Sequence, residues 1–204
     1  SRKFAVSAEP QNDFQQKLTS LNERLIGKHC HQDIFFAEAV ARLFGADDEA
    51  IINGVKKFVG IPHRMEPVGV YKGISFYNDS IATIPHAVEC AVDALGNIET
   101  LIFGGLDRGI NYDDFVTYLD GCSITNIIGM PETGTKICNA LIAMGSKKNV
   151  VPVETMEDAV AAAYKFTPEG KTCLLSPAAP SYNVYKNFEY KGNHYKEIVK
   201  KLGE

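Results

Sequence analysis

Within eight residues, Phe76-Tyr-Asn-Asp-Ser-Ile-Ala-Thr83, the chain gathers an amide, a carboxylate and two aliphatic hydroxyls. A β-prone run from Gly73 to Tyr77 precedes these groups and a helical pattern opens near Ile84 and Pro85, so they sit at a strand-to-helix junction. The free N–H groups of a helix's first turn favour anionic oxygen, and a phosphate, a ribose or a carboxylate is the guest that such a junction suits. Asp79 and Ser80 could equally do no more than cap the helix, a position both residue types favour. Two more polar runs follow strand-like segments: Gly104, Gly105, Asp107, Arg108 and Gly109, then Ser176, Ser181, Asn187 and Phe188. Arg108 is suited to hold a carboxylate through paired hydrogen bonds, and glycines at 104 and 105 would let a ligand approach the backbone. The competing reading gives the glycines to tight turns and makes Asp107 and Arg108 a surface ion pair. The sequence contains neither a Gly-x-Gly-x-x-Gly fingerprint nor a Gly-x-x-x-x-Gly-Lys-Ser/Thr phosphate loop, so these residues cannot hold a nucleoside triphosphate by the P-loop route.

The elements that must position these runs alternate along the chain. Strands are expected at Met65–Tyr71, Ile74–Tyr77, Thr100–Phe103, Ile124–Ile128, Val150–Val153 and Thr172–Leu175, the first two joined as a hairpin at Lys72 and Gly73. Helical spacing lies between them. Ile84, Val88, Ala91, Val92 and Leu95 form one stripe; Phe115, Val116 and Leu119 form the next, behind an Asn111 cap. Ile137, Leu141 and Met144 follow, then Met156, Val160 and Tyr164, and a last helix ends near Leu202. Strands alternating with helices of this length imply crossover connections, hence an α/β fold with a doubly wound, mostly parallel sheet that binds ligands at the strands' carboxyl ends. Before Pro62 the pattern differs. A short strand is conceivable at Arg2–Ala8. Two helices are expected, one from Asp33 with Phe36, Val40, Leu43 and Phe44 inward, the other from Asp47 with Ile51, Ile52, Val55, Phe58 and Val59 inward. A domain boundary is placed at Gly60–Pro62.

With 204 residues, 45% hydrophobic and 23% charged, the chain can bury a sound core, and its net charge of -4 gives no electrostatic case for nucleic acid. The lysines from Lys186 to Lys201 read as a solvated helix face. Five widely spaced cysteines with no Cys-x-x-Cys pair fit reduced thiols in the cytoplasm, and no run is long and apolar enough to span a membrane. His29 and His31 flank Cys30 without a second ligand cluster, so no metal centre is expected.

Four segments in order, Gly60–Glu66 (Gly-Ile-Pro-His-Arg-Met-Glu), Phe76–Thr83, Leu101–Gly109 and Leu174–Gly192, resemble those of the Mur ligases. The resemblance runs from about Leu25 to the end. It implies a Rossmann-like C-terminal domain over 61–204, preceded over 1–60 by a helical remnant of the family's central ATPase domain. It also implies an ATP-dependent ligase of peptidoglycan synthesis, joining D-glutamate to UDP-N-acetylmuramoyl-L-alanine through an acyl phosphate. By position, Arg64 would face the phosphates of ATP, Asp79 its ribose and His29 its base; Thr83, Arg108, Ser181 and the backbone of Phe188 would hold D-glutamate. Mg2+ would be held mainly by domains that this chain lacks, which would leave the chain inactive alone, and a monomeric cytoplasmic protein is implied. The chain departs from the pattern at Cys30 and Asp33 (both Asn in the family), Ile81 (Lys), Ile84 (Asn), Arg108 (Lys), and at Pro180, Asn183, Tyr185 and Lys191. These departures keep two other readings open, a non-catalytic binding or regulatory module and a ligase for another amino acid.

Overall fold

A computed structural model describes residues 6–204, so most of the Arg2–Ala8 segment lies outside the described residues. The chain divides into two compact units, one reaching to Ile61 and taking in Asp93–Leu95, the other made of Pro62–Val92 and Gly96–Glu204. The first holds α1 (Asp13–Leu18), α2 (Lys28–Leu43) and α3 (Asp48–Lys57). Asp47 caps α3, its carboxylate accepting from the Ala50 N–H at 2.8 Å. Helix α2 starts five residues before the expected Asp33, and it buries Cys30, Ile34, Phe35 and Glu38. The stripe expected to face inward, Phe36, Val40, Leu43 and Phe44, is exposed, Phe44 to 88%. Ile34 and Phe35 pack with Leu18 and Ile51 instead. The two stripes run side by side on one helix, so spacing alone does not choose between them.

The second unit is a six-stranded sheet in the order β1-β2-β6-β3-β4-β5, with β1 (Glu66–Tyr71), β2 (Ile74–Asn78), β3 (Ile98–Phe103), β4 (Asn126–Gly129), β5 (Asn149–Pro152) and β6 (Thr172–Leu175). Only the β1–β2 hairpin is antiparallel. It turns at Lys72 and Gly73, both at positive φ (48° and 74°), the primed turn that matches strand twist. Helices α4 (Pro85–Leu95), α5 (Asp113–Gly121), α6 (Thr133–Ala143) and α7 (Met156–Phe166) connect the parallel strands, and α8 (Phe188–Gly203) follows β6. From β2 to β5 the chain advances across the sheet, and right-handed crossovers put α4, α5 and α6 on one face. The step from β5 to β6 runs back, so α7 covers the other face, packed with α8. Strands β3, β4 and β6 are buried on both faces along their apolar stretches, Leu101–Phe103, Ile127–Ile128 and Cys173–Leu175. Ile102, Ile128, Cys173, Leu175 and Phe76 join Met156, Val160, Tyr195 and Val199 in one core, and on the far face the Phe103 ring meets Phe115 edge-on at 6.2 Å. Met144, expected inward, is half exposed just past the end of α6.

Candidate functional site

Because β6 lies between β2 and β3, the loops that leave these three strands stand side by side at their carboxyl ends. The chain departs from β3 towards β4 but from β6 back over β1 and β2, so the winding reverses here, the place where open α/β sheets form a crevice. The loops are tied to each other by their backbones. The Asp79 N–H donates to the Leu175 carbonyl (2.8 Å), Gly104 N–H to Pro177 (2.8 Å) and Leu106 N–H to Pro180 (2.8 Å). Gly104 has φ 120°, and a Cβ there would lie 2.3 Å from the Met130 carbonyl oxygen, so only glycine allows this approach.

Helix α4 begins at Pro85 with Ile84 at its N-cap, five residues after Asp79, so neither Asp79 nor Ser80 caps it. Asp79 is 4% exposed and both its oxygens are engaged: Oδ1 accepts from the Met65 N–H (3.1 Å) and Oδ2 from the Ser176 hydroxyl (2.8 Å). Burial pushes its pKa up to about 6, held back by the Ser176 and Met65 hydrogen bonds and by the charge of Arg64. Asp79 therefore ties the backbone just before β1 to the loop just after β6. The Ser80 hydroxyl donates to the carbonyl of Phe188 at the first position of α8 (2.9 Å).

Asp107 pairs with Lys136 (3.2 Å) and accepts from the Gly109 N–H, so it forms no ion pair with Arg108. Arg108 is exposed and donates from Nη2 to the Thr83 carbonyl (3.2 Å), bridging the β3 and β2 loops, and no carboxylate among the described residues pairs with it. Ser181 is 2% exposed and its hydroxyl has no hydrogen-bond partner. Asn187 caps α8 through the Tyr190 N–H (3.0 Å), which leaves the Phe188 N–H among the first-turn donors that have no helical acceptor. The second unit thus brings Asp79, Thr83, Arg108, Ser181 and Phe188 to one rim, with Arg64 beside them. His29 stands in the first turn of α2, in the first unit.

Three side chains escaped the sequence reading as site components. Lys191, read as part of a solvated face, is 1% exposed and donates to the Gly104 carbonyl at 2.5 Å. Lys196, from the same run, binds both oxygens of Glu66 (2.9 and 3.2 Å). His63 is buried against Asn78 and Phe188. The signal for Lys191 was available, since it stands four residues before the buried Tyr195 and belongs to the same helix face. Among the described residues no three His, Cys, Asp or Glu side chains are placed to hold a metal ion, and none of the five cysteines is in a disulfide. Burial pushes the thiols of Cys138 and Cys173 up to about 12, as inert core groups.

Residues 63–179 match the model of the Mur ligase, glutamate ligase domain. The chain belongs to the Mur ligase family. It is 36% identical over 178 residues to the UDP-N-acetylmuramoylalanine--D-glutamate ligase of Bacillus thuringiensis (strain Al Hakam), covering 87% of this chain and 39% of that protein. The ligase of the same name from Bacillus mycoides (strain KBAB4) is 37% identical over the same share. The chain thus spans about two fifths of the length of the curated relatives it matches. Among solved structures, the UDP-N-acetylmuramoylalanyl-D-glutamyl-2,6-diaminopimelate--D-alanyl-D-alanyl ligase of Acinetobacter baumannii superposes with a TM-score of 0.65 at 14% identity, covering 86% of this chain and 37% of that one. At that identity the likeness shows the fold, and the fold is the α/β architecture of a Mur ligase C-terminal domain. Among the described residues no helix is long and apolar enough to cross a membrane.

Proposed function

We propose that residues 61–204 are the D-glutamate-binding and ATP-closing C-terminal domain of a ligase that joins D-glutamate to UDP-N-acetylmuramoyl-L-alanine, and that residues 1–60 are the tail of its central ATPase domain. The observation that carries this is the set of groups left unspent at one rim. A guanidinium without a carboxylate, a buried hydroxyl without a partner and the open first turn of α8 stand on adjacent loops. A dicarboxylate with its amine turned outward suits that set, Arg108 and Thr83 taking one carboxylate, Ser181 and the Phe188 N–H the other. Arg64 would then meet a phosphate of ATP, with Asp79 towards the ribose. In this reading the cradle for the triphosphate and most of the magnesium ligands belong to the rest of the enzyme. The chemistry asked of these residues is positioning: they hold the amine where it meets an acyl phosphate formed elsewhere.

Titration of the chain with D-glutamate, followed by amide NMR, should give weak binding with shifts at Thr83, Arg108, Ser181 and Phe188. R108M should weaken it tenfold or more, in line with about 1.5–3 kcal/mol for a charged hydrogen bond. In a protein of the relatives' full length carrying this chain, phosphate release should require both substrates. Shifts spread over other surfaces, or equal turnover of another amino acid, would overturn the assignment. Ile81, an apolar residue where the family pattern has lysine, is the feature that favours the rival reading, a binding or regulatory module without catalysis.

A further inference from the structure

His63 is the one buried imidazole of the second unit, and its ring state is fixed by its neighbours. The Asn78 side-chain amide has two N–H groups; one points to Glu66 Oε2 (2.9 Å) and the other to His63 Nδ1 (2.9 Å). The amide cannot be turned round, because its Oδ1 accepts from the Ser80 N–H (3.1 Å) and a flip would set donor against donor. Nδ1 must therefore be an acceptor, which leaves the ring neutral with its proton on Nε2. Glu66 does not offer Nδ1 an alternative as a proton acceptor, since it stands 3.9 Å away, beyond hydrogen-bond reach.

The rest of His63 is held as firmly. Its N–H donates to Glu66 Oε2 (2.9 Å) and its carbonyl accepts from the Ile81 N–H (3.3 Å). Its φ of 65° is a conformation that a residue other than glycine keeps only when its surroundings impose it. The ring meets Phe188 edge-on at 5.8 Å, and α8 approaches so closely that a Cβ on Gly192 would lie 2.3 Å from Nδ1 and 2.4 Å from the Ser80 hydroxyl. Ser80 closes the circuit by donating to the Phe188 carbonyl. Glu66, anchored by Lys196, holds the far end.

We propose that His63 is a positioning residue: as a neutral imidazole protonated on Nε2 it locks the Ser80 loop to the first turn of α8, and a proton on Nδ1 releases that lock. A proton there would face the Asn78 N–H with no room for a water between them. The charged groups around the ring are Glu66 on β1, Lys196 and Glu189 on α8, and Arg64 and Asp79 on the flanking loops. Burial, then the Lys196 charge, lowers the pKa of His63, against the smaller opposing pulls of Glu66 and Glu189, which agrees with the neutral ring that the hydrogen bonds require. The lock itself stands on geometry. Its bearing on ligand binding rests on the proposed role of the Phe188 N–H.

The chain carries five histidines, and H63N assigns the ring signals of His63 by difference in a long-range 15N–1H spectrum. At pH 7 the expected pattern is an unprotonated Nδ1 and a protonated Nε2; an Nδ1–H tautomer or an imidazolium overturns the proposal. As pH falls, the protection factors of the Ser80 and Ile81 amides, that is, their exchange corrected for the intrinsic base-catalysed rate, should drop with the His63 titration. Amides indifferent to His63 also overturn it. H63N keeps an acceptor oxygen near the Nδ1 position and tolerates positive φ, so it should retain slow exchange and lose the pH dependence. H63F keeps the ring but not the acceptor, and should exchange about five- to tenfold faster at Ser80, the worth of one net hydrogen bond. Should H63F not fold, the tautomer and titration of the unaltered chain still decide. If the lock titrates as described while D-glutamate affinity stays constant, the ligand assignment of Phe188 fails and the lock stands.

Discussion

Lys191 shows how much a single buried charge weighs in this domain. Its ammonium has one hydrogen bond, to the Gly104 carbonyl, and no carboxylate partner, and burial pushes its pKa from 10.5 down to about 7. With the folded value below the unfolded one, the unfolded chain binds more protons between about pH 7 and 10.5, so stability rises with pH across that window and is lost as pH falls to 7. The difference between the two ends is on the order of 5 kcal/mol, at 1.36 kcal/mol per pH unit. K191M removes the charge and keeps the volume, at the expense of an unanswered carbonyl on Gly104 that costs about 1–3 kcal/mol. The net expectation is a gain of roughly 2 kcal/mol at pH 7, or about 4–8 °C in Tm for a chain of this size, which shrinks towards pH 9.5. Thermal unfolding at the two pH values measures it. A loss of stability at pH 7 would mean that the ammonium is compensated in the folded protein. The same tie to Gly104 places Lys191 under the loop that carries Arg108, so a more stable variant that binds D-glutamate less well is the outcome that site geometry leads one to expect.

At the scale of elements, α8 carries most of what the site requires and was half legible. Its start after the Ser176–Ser181 loop and its end near Leu202 followed from turn residues and apolar spacing, and Asn187 caps it as its residue type allows. Its lysines misled, because Lys191 and Lys196 sit on the face that meets the sheet and not on the face that meets water. A glycine inside this helix costs about 1 kcal/mol relative to alanine in the absence of tertiary contacts. Gly192 is nevertheless the residue through which α8 touches His63, Asn78 and Ser80, all within 2.8 Å of where a Cβ would be. G192A should therefore destabilise by about 1–3 kcal/mol despite its better helix propensity, because overpacking displaces the helix from the β2 loop. Denaturant unfolding reads this as a lower midpoint at an unchanged slope. A stabilised G192A would show that the helix can move away without cost. Strands were the more legible elements, Thr172–Leu175 with both ends correct, since short apolar runs flanked by turn residues have few other readings. The phase of α2 was not legible, because two adjacent stripes were both apolar and only packing chose between them.

Across the whole second unit, alternation of strands and helices made the parallel sheet readable, but strand order was not, since pairing partners far apart in sequence leave no local signal. The consequential fact is that the final strand lies in the interior of the sheet. Ser75 pairs with Thr172 and Ile102 with Leu175, so β6 joins the β1–β2 hairpin to β3, β4 and β5. The same placement sets the loops after Asn78, Phe103 and Leu175 side by side, so the site and the sheet are completed by one insertion. Without β6 the sheet falls into two pieces, each with an apolar edge strand open to water, and the cores on both faces lose Cys173, Leu174 and Leu175. A chain ending at residue 171 should therefore show no cooperative unfolding of the second unit, with collapsed amide dispersion for residues 62–171 and a tendency to aggregate. Retained dispersion for β3, β4 and β5 in that truncated chain would mean that the three strands are stable without β6. In the intact chain the β2–β6 and β3–β6 pairings close loops of roughly seventy to one hundred residues, so refolding should be slow, with signals of the Asp79, Gly104 and Ser181 loops recovering together with β6. Stopped-flow or real-time NMR refolding tests this. Recovery of the Asp79 and Gly104 loops well before β6 would show that the crevice forms without the strand that sets its loops side by side.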